Sequence, residues 1–128
     1  MDVFHKEFLF SNKKKTEINA QAFCVSRGGI LFEPEYSLVV IDVAQHAKDE
    51  ALGEFWSGIN DKILEGNFVY DSDNKPVSDL VLSWEAGAPN TPENNGDVED
   101  CVDIDLNEQM NDISCDLDRS IVCESKYI

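Results

Sequence analysis

Positive charge is scarce in this 128-residue chain: 10 Lys and Arg stand against 26 Asp and Glu, for a net charge of −16. Between Pro76 and Asp118 there is no Lys or Arg at all, while twelve Asp or Glu fall there. That balance argues against nucleic acids, anionic membranes and sulfated glycans as partners, all of which need Lys and Arg. No apolar run reaches membrane-spanning length, so no membrane insertion is expected. The stretch Met1-Asp2-Val3-Phe4-His5-Lys6 has no signal-peptide character, and Met1 is read as the point where a precursor was cut. There is no Asn-x-Ser/Thr sequon, so N-glycosylation is not expected. Cys-x-x-Cys pairs are missing, and His5 and His46 lie far from the cysteines in sequence, which argues against a zinc site built from both. No nucleophile-histidine arrangement is visible, and paired carboxylates without placement do not make a glycosidase, so the chain is not expected to be an enzyme.

What the chain does have is enough for a folded globule. Two Trp, three Tyr and seven Phe, in a chain 42% hydrophobic, exclude a disordered acidic tail, and the length suits one domain over residues 1–128. Cys24, Cys101, Cys115 and Cys123 suggest two disulfides and an oxidising, secreted setting, with three pairings open at this point. An acidity this dense repels itself unless it is solvated or gathered around a cation. Carboxylate and amide oxygens point to calcium first.

Taken in order, Phe4 to Phe10 reads as an opening strand, followed by a solvated basic turn at Ser11–Lys15. Thr16 caps a predicted helix in which Ile18, Ala22 and Val25 recur at helical spacing, ending at Gly28-Gly29. A second helix is predicted from about Glu35 to Glu50, with Val39, Val43 and Ala47 on one face. His46 falls on it, where a lone histidine reads as an ordinary surface or core residue. Phe55–Ile59 and Phe68–Tyr70 read as strands, with Asp71–Pro76 as a turn. From Leu80 to Asn111 little regular structure is expected beyond Val102–Ile104, and a loop this long is usually functional. Ile121–Glu124 closes the chain as a strand.

Trp56-x-Gly58-x-x-Asp61, Glu65-Gly66-x-Phe68-x-Tyr70, Pro89-Asn90, Glu99-Asp100-Cys101, Met110-Asn111-Asp112 and Cys123 occur in an order that resembles the C-type lectin-like domain. The compact opening, without an extra cysteine pair, is similar to the short invertebrate and tunicate members. The resemblance implies an α+β fold of two helices, two small antiparallel sheets and a long irregular calcium-binding loop. It selects the disulfides Cys24–Cys123 and Cys101–Cys115, and it makes Trp56, Phe68 and Tyr70 core.

It also implies a principal Ca2+ site at Asn90, Glu99, Asn111 and Asp112, the same residues binding carbohydrate, and an auxiliary Ca2+ site at Asp61, Glu65 and Asp100 with Glu99 shared. The implied function is that of a secreted lectin in which the hydroxyls of a mono- or oligosaccharide complete the calcium shell, with pairing into a homodimer as a route to avidity. Three departures stand out. Ala88 replaces the Glu or Gln of the family tripeptide, so Glu85, Glu93 and Asp97 are the substitute oxygens on offer. Thr91 replaces an acid, and Met110 replaces a Trp at a position that is usually core. A cis bond at Ala88-Pro89 would aim Asn90 inward. The alternative that Ala88 raises is a retained fold that binds a protein, basic in charge, or another non-sugar ligand such as ice.

Overall fold

Residues 2–5, 7–86 and 100–125 are described by the computed structural model. Two strands open the chain, β1 (Asp2–His5) and β2 (Phe8–Lys15), paired as an antiparallel hairpin with Val3 opposite Phe10. The basic triplet expected as a turn is the end of β2, where Lys15 pairs with Arg119 after a register shift. Strand geometry there is supported by a neighbour far away in sequence: the indole Nε1 of Trp56 donates to the Lys15 carbonyl at 2.8 Å.

Helix α1 (Glu17–Ser26) begins after Thr16 and ends at Gly28, whose φ of +81° is the left-handed turn that glycine makes without a side-chain clash. Its buried face corrects the one read from the sequence. Ile18 and Val25 are exposed, and Ala20, Phe23 and Cys24 are buried. Apolar residues lie on both faces of this helix, and the Cys24–Cys123 disulfide fixes which one turns inward. The short strand β3 (Gly29–Leu31) pairs with the last strand so closely that a Cβ at Gly29 would sit 2.4 Å from the Glu124 carbonyl oxygen. Helix α2 (Ser37–Asp49) buries Val40, Val43, Ala44 and Ala47, one turn of the predicted face being shared and Val39 packing at its margin.

The strands β4 (Phe55–Asn60), β5 (Val69–Tyr70), β6 (Cys101–Ile104), β7 (Met110–Ile113) and β8 (Arg119–Ser125) complete the architecture. The sheet runs β1-β2-β8-β4-β6-β7, with β3 on β8 and β5 on β4. Two antiparallel groups thus exist, as predicted, and the parallel pairing of Phe55 with Ser120 joins them. Strand β7 was not anticipated. Both predicted disulfides are present. One core layer gathers Phe10, Phe32, Phe55, Ile59, Val102, Ile104 and Met110 under α2, and another gathers Trp56, Ile121 and both disulfides under α1. Phe68 and Tyr70 pack against the first, as expected of core residues.

Candidate metal centre

Strand β4 is buried along its whole length, and Asp61 follows it at the point where the chain leaves the sheet. The chain turns back at once: the backbone N–H of Gly66 donates to Asp61 Oδ2 at 2.8 Å, and Gly66 itself has φ +84°. On the other side the backbone N–H of Asp61 donates to the Asp100 carbonyl at 3.1 Å, beside the Cys101–Cys115 disulfide that holds β6 in place. These two constraints bring Asp61, Glu65 and Asp100 together, with one carboxylate oxygen from each lying within 4.8 Å of the others.

The electrostatics of this cluster are unfavourable without a cation. Asp61 is 1% exposed, and its Oδ1 has no hydrogen-bond donor among the described residues. Desolvation, a proton-sharing contact with Asp61, and the charges of Asp61, Asp100 and Asp112 push the Glu65 carboxyl up to about 7. A buried oxygen with no donor, in a ring of carboxylates, fits a hard divalent ion that takes six to eight oxygens in irregular geometry.

A second set of polar residues, with no local pattern to announce it, braces this loop. Glu17, in the first turn of α1, is 1% exposed and accepts from Lys62 Nζ at 3.1 Å and Gln21 Nε2 at 2.6 Å. Gln21 also donates to Asp71 Oδ2 at 2.9 Å, and Asn60 Nδ2 donates to Asp71 Oδ1. Lys62 and Asn60 flank Asp61, so α1 is tied to the loop that carries it. Burial, together with the charge of Glu17 and a bond to it, pushes the Asp71 carboxyl up to about 7.

Of the principal set, Asn111 and Asp112 lie on β7, with Asp112 fully buried opposite Val102 and its charge reaching Glu65. Met110 is fully buried, its N–H and carbonyl bonded to the backbone of Ser83 and Glu85, so it occupies the core position expected of it. Ala88, Pro89, Asn90, Thr91, Glu93, Asp97 and Glu99 lie outside the described residues. Glu85 is described, and its charge bears on Asp103, whose carboxyl burial pushes up to about 6 against the pull of Arg119 Nε at 2.8 Å.

Comparison with known proteins accords with this geometry. The profile of the Lectin C-type domain matches residues 13–125. Collectin-11 of Bos taurus is 34% identical over 119 residues, which are 93% of this chain and 43% of that protein. The chain thus spans well under half the length of the collectin it matches. In fold, the mouse scavenger receptor C-type lectin carbohydrate-recognition domain superposes with a TM-score of 0.81 at 23% identity, covering 98% of this chain and 96% of that one. TC14, a C-type lectin from the tunicate Polyandrocarpa misakiensis, gives 0.75 at 24% identity over 95% and 98%. Among the described residues, no helix is long and apolar enough to cross a membrane. A protein that binds rather than catalyses is what this kinship leads one to expect: the chain belongs to the C-type lectin domain family.

Proposed function

We propose that this chain is a secreted, calcium-dependent carbohydrate-recognition domain. The observation that carries the reading is the convergence of Asp61, Glu65 and Asp100, together with an Asp61 carboxylate oxygen that has no donor among the described residues. In this reading Asp61, Glu65 and Asp100 hold one Ca2+, and Asn90, Glu99, Asn111 and Asp112 hold a second and face the sugar. Bound calcium supplies a positive centre for two vicinal sugar hydroxyls. The chain's own part is to orient: β7 fixes Asn111 and Asp112 in register with Asp103 and Val102, and the amide of Asn111 can donate to a hydroxyl while carboxylates accept from one.

The test is retention on immobilised mannose and galactose with calcium and with EDTA. Retention that needs calcium and is lost in Asp112→Ala supports the reading. Retention by Asp112→Ala in EDTA contradicts it.

A further inference from the structure

Both chain neighbours of Asp61 are tied to acids outside the cluster. Before it, Asn60 donates through Nδ2 to Asp71 Oδ1 and accepts the Lys62 N–H at 3.0 Å, which closes a turn around Asp61. After it, Lys62 Nζ reaches Glu17 Oε1 at 3.1 Å. Gln21 joins the two anchors by donating to Glu17 Oε2 and to Asp71 Oδ2. Glu17 is also held by its backbone, whose N–H donates to the Cys115 carbonyl at 3.2 Å. Cys115 is the disulfide partner of Cys101, and Cys101 follows Asp100 in the chain. One residue of α1 thus holds the Asp61 turn by its side chain and the Asp100 segment by its main chain.

We propose that Glu17 is a positioning residue of the metal centre, acting through Lys62 to fix the direction in which Asp61 presents its carboxylate. This rests on the reading of Asp61, Glu65 and Asp100 as a calcium centre. The Asp61 side chain has little else to orient it: Oδ2 accepts from the Gly66 N–H, and Oδ1 has no donor among the described residues. Its direction therefore follows the turn that carries it, and that turn is what Asn60 and Lys62 hold.

Stability alone explains the network poorly. Hydrophobic residues of similar volume often replace a buried ion pair with no loss of stability, yet the Glu17 carboxylate is 1% exposed. Burial and the charge of Glu17 also push the Asp71 carboxyl up to about 7. Groups that orient metal ligands from behind have another measure, since their loss lowers metal affinity about 10–100-fold.

Charge and position make opposite predictions for Lys62. By Coulomb's law, removing a positive charge beside a calcium ligand tightens calcium binding. If Lys62 holds the turn against Glu17, removing it weakens binding.

The experiment is calorimetric titration of the whole chain with CaCl2 in about 0.15 M salt, for the wild type, Glu17→Gln, Lys62→Met and Lys62→Arg. The expected result is that Glu17→Gln and Lys62→Met each lower the affinity of one calcium equivalent about tenfold. Lys62→Arg, whose guanidinium can remake the bond to Glu17, should regain most of that loss. Melting is followed in EDTA alongside. The Lys62 side chain is 43% exposed, so Lys62→Met should melt as the wild type does, and its lost affinity is then a loss of position and not of fold. An acid with a structural role alone would shift the EDTA transition and leave calcium affinity unchanged. Calcium binding by Lys62→Met as tight as that of a calcium-binding wild type, or tighter, overturns this proposal alone. A wild type that binds no calcium overturns the calcium reading and this proposal with it.

Discussion

Replacing Asp61 by Asn should stabilise the protein in EDTA and weaken its response to calcium. The carboxylate is 1% exposed and grouped with those of Glu65 and Asp100, Oδ2 accepts from the Gly66 N–H, and Oδ1 has no donor among the described residues. An Asn retains an oxygen for Gly66 and turns an amide N–H toward the neighbouring acids. Leaving a buried acceptor unsatisfied costs about 1–3 kcal/mol, and the substitution removes that cost along with one of three clustered charges. A domain of this size melts with an entropy for which each kcal/mol moves Tm by about 4 °C, so Asp61→Asn should melt about 4–12 °C higher in EDTA. With a calcium Kd of about 0.1–1 mM, 10 mM calcium stabilises the wild type by about 1.4–2.7 kcal/mol. A tenfold loss of affinity would cut that to about 0.4–1.4 kcal/mol in the variant. The assay is thermal unfolding followed by circular dichroism under both conditions. A variant that melts lower in EDTA and keeps the full calcium response would refute the reasoning, because Asp61 would then be a structural acceptor alone.

Two further expectations concern a half-buried and a buried group away from this cluster. Desolvation, with the charges of Glu33, Glu35 and Glu7, pushes the Glu124 carboxyl up to about 7, although it accepts from the Glu33 N–H at 2.6 Å. The folded state therefore holds this proton more tightly than the unfolded chain, so its contribution to stability is complete below the ordinary carboxylate range and is lost as pH rises through 7. In EDTA the protein should melt higher at pH 5.5 than at pH 8, and Glu124→Gln, whose amide oxygen can keep the Glu33 bond, should flatten that slope; a slope unchanged by the variant contradicts the assignment. Met110→Ala empties a fully buried position and should cost about 2–5 kcal/mol in chemical denaturation, equally with and without calcium. A loss confined to the calcium form would mean that Met110 acts on the metal loop and not on the core.

Sequence patterning located most elements because burial here follows simple periods. The inward face of α2 is a helical stripe, and β4 is a continuous buried run. Where it failed, a distant contact decided. Helix α1 has apolar residues on both sides, and Cys24 must face β8 to reach Cys123, which turns Phe23 in and leaves Ile18 and Val25 in solvent. The basic end of β2 looks like a loop until Trp56 and Arg119 are placed beside it. Strand β7, Met-Asn-Asp-Ile, carries too little β-branched character to announce itself, and pairing with β6 makes it a strand. At the candidate centre, the grouping of Asp61, Glu65 and Asp100 was legible as a family resemblance. The buried Glu17 that braces it was not, because an acid in the first turn of a helix reads as a solvated partner of the helix dipole. Nor does any local pattern announce that His5 and His46 stack.

Calcium-dependent sugar recognition is tested most directly by a glycan array probed in about 10 mM calcium, again after EDTA, and once more after calcium is restored. The account predicts signals on neutral glycans that vanish with EDTA and return with calcium. Signals indifferent to EDTA, or a blank array from a protein whose melting still responds to calcium, would contradict it.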